Sequence, residues 1–147
     1  MSEAVQKLWR RTQDEEYRRL LNIEILEIEP GRALVAMDYS PQLNNIFGRL
    51  HGGAVFSLLD EAFQLACNAH GSVAVAQQVS IYYLAPAEPG IRVLAEVVEI
   101  HATRKTALYR AEVRQADGRK LATATAQAYR LGRPLPFDDQ GRMKEPD

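Results

Sequence analysis

The sequence predicts an α+β domain in which one long buried helix is wrapped by an antiparallel sheet of about six strands. Three observations predict it. Residues Gly52 to Asn68 form a helical run that is apolar around most of its circumference, as a helix inside a core is and a helix on a surface is not. Segments of strand character flank that run, two before it and four after, with turn signals such as Pro30-Gly31 and Asp117-Gly118 between them. The last strand puts Ala122, Ala124, Ala126 and Ala128 on one face, and small side chains in a row let a bulky element, here the helix, approach the sheet.

Taken in order, Ser2 to Leu21 has apolar residues at Ala4, Val5, Leu8, Trp9, Tyr17, Leu20 and Leu21, a roughly helical spacing interrupted at Thr12-Gln13-Asp14. It reads as one broken helix or two short ones. Arg10, Arg11, Arg18 and Arg19 are interleaved with Glu3, Asp14, Glu15 and Glu16, so this lead presents a solvated face and not a basic binding surface. Strands follow at about 22 to 29 and 32 to 39. The segment Gln42 to Leu50 has no periodicity, yet Leu43, Ile46, Phe47 and Leu50 make it apolar for a loop, so it is expected to pack on the protein or on a second subunit. After the helix come strands at 73 to 84, 91 to 102, 106 to 114 and 120 to 131. Beyond Gly132, Pro134, Pro136 and Pro146 among charged neighbours predict an extended or frayed tail.

A length of 147 residues makes a single domain spanning 1–147, with a core at about 20–131, a helical lead at 1–19 and a tail at 133–147. With 46% hydrophobic and 25% charged residues it is a globular chain. Eighteen Lys and Arg against nineteen Asp and Glu give a net charge of -1, no field for a nucleic acid or an anionic bilayer. No run near the N-terminus is apolar enough for a signal peptide or membrane helix. The lone cysteine, Cys67, sits in an apolar run, which fits the core of a cytoplasmic protein.

Phosphate loops, dinucleotide fingerprints, nucleophile elbows and zinc-protease motifs are all missing from the sequence. His51, His70 and His101 are dispersed, so neither a metal nor a cofactor is expected. What remains is Asn45-Ile-Phe-Gly48-Arg-Leu-His51-Gly52-Gly53, with Asp60 nine residues after His51. Gly52 and Gly53 open the buried helix, where the first amides lack intrahelical acceptors and the positive helix end suits a carbonyl oxygen becoming an oxyanion. Asp60, about two turns along, is placed to act as base or nucleophile. A second reading stands beside this one: a tight loop-to-helix junction, His51 as a cap and Asp60 as a satisfied buried acid. Glu61 points about 100° away from Asp60, so both cannot face one carbonyl, and Glu61 is read as structural or a rim contact.

The run N-x-x-G-x-x-H-G-G followed by an acid on the helix resembles the hotdog-fold acyl-CoA thioesterases, in the branch of the phenylacetyl-CoA thioesterase and its mammalian relatives. The resemblance extends over about residues 20 to 131 and includes the Leu84-Ala85-Pro86-Ala87 junction. It implies hydrolysis of aryl- or medium- to long-chain acyl-CoA, with no cofactor. Asp60 would direct or perform attack on the thioester, the Gly52 amide and Asn45 side chain would polarise the carbonyl, and His51 would help position substrate. Gly48 and Gly53 complete the motif. The resemblance further implies that the acid faces its site across a homodimer interface, in a dimer or a dimer of dimers. Gln77 stands where the bacterial phenylacetyl enzyme has serine, and Ala76 falls near a serine of the mammalian relatives, so the water-positioning partner differs here. Arg104, Lys105 and Thr106 match the family's coenzyme A phosphate contact. The alternative in a different class is a non-catalytic acyl-CoA binding or sensing module.

Overall fold

A computed structural model describes residues 1–145. Two helices, α1 (Glu3–Thr12) and α2 (Glu16–Leu20), precede a hairpin of β1 (Ile23–Glu29) and β2 (Arg32–Met37). The helix α3 (Gly52–Asn68) leads into β3 (Ser72–Tyr83), β4 (Val93–Ala102), β5 (Thr106–Gln115) and β6 (Lys120–Pro134). The strands form one antiparallel sheet in the order β1-β2-β4-β5-β6-β3. The strand that follows the helix thus ends up on an edge, beside the last strand of the chain. Among the described residues no helix is long and apolar enough to cross a membrane.

The core lies between α3 and one face of the sheet. Leu58, Leu59, Ala62, Phe63, Leu65 and Ala66 of α3 are buried, each large one contributing roughly 1.5–3 kcal/mol on leaving water. They meet Ala107, Tyr109, Ala111 and Val113 of β5 and the alanine row of β6, all buried, while Leu108 and Arg110 face out. Phe63 packs edge-on to Tyr109, with ring centroids 5.3 Å apart. The alternation along β5 is therefore the inside and outside of the sheet. The β1–β2 turn holds Gly31 at φ +79°, where a Cβ would stand 3.0 Å from Glu99 Cβ, so only glycine fits that corner.

One expectation holds and one changes. The lead is two helices, as one of the alternatives held, and they lie on the body: Val5, Leu8 and Thr12 are buried, and Arg18 donates to the carbonyls of Thr12 and Ile23 at 2.9 and 2.6 Å. The tail is not frayed as far as residue 145. Strand β6 continues to Pro134, Leu135 is buried and donates its N–H to Gly71 O at 3.2 Å, and Phe137 and Met143 pair across a turn. That turn abuts α1 so closely that a Cβ on Gly141 would lie 2.7 Å from the Arg11 backbone nitrogen, and Arg11 stacks over Phe137. A proline-rich composition predicts extended backbone but says nothing of an apolar surface waiting to receive it. Pro146, part of the predicted tail, lies outside the described residues.

Candidate active site

The site begins where α3 does. His51 is the N-cap, in extended conformation, and its Nδ1 accepts the Gly53 N–H at 2.8 Å. The capping reading of His51 therefore holds, and the bond puts the proton of a neutral ring on Nε2. A Cβ on Gly53 would stand 3.0 Å from that Nδ1, and one on Gly52 would stand 3.3 Å from the Tyr83 ring. Both glycines thus answer to close neighbours. Among the described residues the Gly52 N–H meets no hydrogen-bond acceptor, while the Gly52 carbonyl accepts from Tyr83 Oη at 3.3 Å. An unclaimed N–H at the positive end of a helix is a donor for an oxygen gaining negative charge.

Asn45 supplies a second donor. Its Oδ1 accepts the N–H groups of Phe47 and Arg49 at 2.9 and 3.1 Å, which leaves Nδ2 as the free end. Gly48 closes that loop at φ +69°, with its N–H on Asn45 O at 3.0 Å. Asn45 and Gly52 line one cavity of about 420 Å³ with Val55, Tyr83, Leu84 and Leu121. His51 and Gly53 face another, of about 310 Å³, walled by Tyr17 and Ser57.

Asp60 does not share the Gly52 cavity. It lies about 12 Å farther along the axis, so one chain cannot place both on one carbonyl. Asp60 is half-buried and, among the described residues, makes no hydrogen bond or ion pair. Burial, and then the charge of Glu15, hold its carboxyl above the usual range. The fully buried acid is instead Glu61, 5% exposed. Its Oε2 accepts from Gln64 Nε2 at 2.9 Å, and its Oε1 has no partner. Burial first and Glu15 second push its carboxyl up to about 8. The 100° step between neighbours turns Asp60 to the open side and Glu61 beneath the lead. Glu61 is therefore no rim contact.

The polar side chains of α3, Ser57, Asp60, Glu61, Gln64 and Asn68, form a narrow stripe, and it is not bare. Tyr17 Oη lies 2.8 Å from Ser57 Oγ, and Gln64 Nε2 donates to both Glu15 oxygens at 2.9 and 3.0 Å. Glu15, Tyr17 and Tyr83 are site neighbours that sequence reasoning missed. Tyr17 was visible only as an apolar helical position, Glu15 as one charge among several and Tyr83 as a strand residue.

Arg104 and Lys105 are exposed in the β4–β5 turn and, among the described residues, have no acidic partner. The Thr106 hydroxyl is taken up by Thr103 Oγ1 at 3.1 Å. This turn adjoins Tyr129, whereas Gly52 adjoins Tyr83, which pairs with Ala122. The two ends of β6 are roughly 20 Å apart by strand rise, so one chain does not bring the turn to the Gly52 cavity. Gln77 sits at a bulge in β3, its Oε1 accepting from Gln127 Nε2 at 2.5 Å. The largest described cavity, about 650 Å³, is elsewhere again, between the lead, the tail and Gln64, Leu65 and Asn68 of α3.

Comparison with known proteins converges on one family. The model of the thioesterase superfamily matches residues 47–122. The acyl-coenzyme A thioesterase PaaI of Escherichia coli K12 is 32% identical over 114 residues, 78% of this chain and 81% of that protein. The solved E. coli PaaI structure superposes with a TM-score of 0.82 at 29% identity, over 89% of this chain and 98% of that one. A Streptococcus mutans protein solved bound to acetyl-CoA matches at 27% identity and a TM-score of 0.73, over 78% of this chain and 92% of its own.

Proposed function

This chain belongs to the thioesterase superfamily, in its PaaI-like hotdog branch, and from that membership we propose that it hydrolyses aryl- or medium- to long-chain acyl-CoA, with Asp60 as base or nucleophile. It is a thioester hydrolase of hotdog fold. The observation that carries the reading is the unclaimed Gly52 N–H beside the Asn45 carboxamide in one cavity. With the thioester carbonyl oxygen between those donors, water delivered by Asp60 adds to the carbon as its proton passes to the carboxylate. The oxyanion then collapses, the C–S bond breaks, and the thiolate of coenzyme A leaves and takes up a proton. Attack by the carboxylate itself would give a mixed anhydride that water cleaves, with the same products.

The separation of Asp60 from Gly52 supports a site completed by a second copy. Strand β3 supports where it docks: a long edge strand with Val75, Tyr82 and Tyr83 exposed and Leu84 exposed just beyond it, the kind of edge that pairs unless blocked. Antiparallel pairing of two β3 edges about a two-fold near Gln77 would set the Ser72 end of one beside the Tyr83 end of the other. The basic turn of one copy, which flanks Val75 through Tyr129, would then come to the Gly52 cavity of the other, with Arg104 and Lys105 on the coenzyme A phosphates. His51 lines the approach, and the buried thiol of Cys67, pushed up to about 12 by burial, suits a reducing cytoplasm.

Thiol release from a panel of acyl-CoA esters tests this. The protein is expected to turn over at least one aryl or medium- to long-chain member, and Asp60→Asn to lower kcat by ~10²-fold or more with the fold intact. An Asp60→Asn protein of near-normal kcat would overturn the assignment.

A further inference from the structure

Gln64 lies one turn beyond Asp60 on α3, so their side chains are neighbours on one helix face. Its amide nitrogen donates to both oxygens of Glu15, at 2.9 and 3.0 Å, and to Oε2 of Glu61, at 2.9 Å. One NH₂ group thus draws a carboxyl of the N-terminal lead and a carboxyl of the core helix together. Arg18 of the lead faces Glu61, and Glu15 and the Cys67 thiol face Asp60; Arg18 is also held by the carbonyls of Thr12 and Ile23. Burial holds the Glu61 carboxyl above the ordinary range and favours its neutral form, while Glu15 stands nearer the edge of solvent.

We propose that Glu15 is a positioning residue for the Asp60 base: Gln64 clamps its carboxyl against α3, one helical turn from Asp60 on the same face. This rests on the reading of Asp60 as the base. A carboxylate is ordinarily a weak base at neutral pH, and catalysis gains as its proton affinity rises toward the working pH. The lead would then act on the chemistry without touching substrate, through the charge it carries to α3. Nothing in the helix-turn composition of residues 1–21 marks Glu15 for this. The clamp from Gln64 does.

The test is the pH dependence of kcat/KM on one acyl-CoA, with Tm measured alongside. Glu15→Gln keeps size and hydrogen bonding and removes charge. It should move the acid limb, where Asp60 loses its proton, to lower pH by about half a unit or more, whereas Glu15→Asp, which keeps the charge, should leave that limb closer to its original place. Gln64→Met, which releases the clamp and keeps both acids, should shift it in the same direction as Glu15→Gln, and it gives the readout if Glu15→Gln folds poorly. An unmoved acid limb in Glu15→Gln or in folded Gln64→Met, even with a changed Tm, would mean that Glu15 only fastens the lead, and the inference fails alone. Near-normal turnover by Asp60→Asn would take down the base assignment and this inference with it.

Discussion

Asp60 and Glu61 are adjacent in the chain and a third of a turn apart in space, and that rotation gives two carboxyls opposite fates. Asp60 faces the open side without a partner, available to a reactant. Glu61 is sealed under the lead, where burial and Glu15 favour its neutral form. Because its folded value lies near 8, above the ordinary 4.5, the neutral carboxyl's contribution to stability is complete below about pH 4.5 and is lost as pH rises through about 8. Glu61→Gln makes that neutrality permanent. Thermal melts of the two proteins should coincide most nearly in acid and diverge upward in pH, the variant being more stable by at least ~5 °C at pH 8.5. A wild-type Tm as high as that of the variant at pH 8.5 would show that Glu61 ionises in the fold without cost.

At the scale of elements, the proposed site divides the labour of holding a substrate between the junction into α3 and the β4–β5 turn. The junction concentrates rigid donors: a capping histidine, a free N–H and an asparagine whose oxygen is already engaged. The turn offers two exposed cations at the far end of β6 from that junction. Remote phosphate binding adds affinity without altering the reacting carbon. Replacing Arg104 and Lys105 together by Ala should therefore raise KM for acyl-CoA by about tenfold or more, with kcat for a short thioester lacking the nucleotide nearly unchanged. Steady-state kinetics on the two substrates check it, and equal losses on both would remove the turn from the binding site.

For the whole molecule, the expectation of a second subunit keeps one of its grounds in the sequence, the apolar 42–50 loop, and gains the β3 edge in place of the polar stripe of α3. On the polar stripe of α3, Ser57 and Gln64 are covered by Tyr17 and Glu15 of the same chain, while Asp60 stays open. Also uncovered are the β3 edge and the tip of the 42–50 loop, where Ile46 is 92% and Phe47 80% exposed, while Leu50 is buried. Apolar surface of that kind is retained where another surface covers it. Light scattering should give two or four times the 16.5 kDa chain mass, and a charged substitution on the β3 edge, Val75→Lys, should lower that mass and the activity together. A monodisperse, fully active monomer would sink the shared site.

The sequence by itself determined the elements. The near-uniform apolarity of Gly52 to Asn68, the alternation along β5 and the alanine row of β6 specified a helix lying on a sheet, because burial is written locally as periodicity. It also marked Asn45, His51, Gly52 and Asp60 as a set. The family resemblance gave them roles, and the free Gly52 N–H and the unpartnered Asp60 are compatible with those roles. Tertiary structure alone decided what lies opposite what: that Glu61 and not Asp60 is the sealed acid, that Glu15 and Tyr17 reach α3, that the tail closes on α1 through Leu135 and Gly141, and that Asp60 and Gly52 are too far apart to serve one carbonyl within one chain. Such facts depend on contacts between segments distant in sequence, where the period of one segment carries no information about the distance to another.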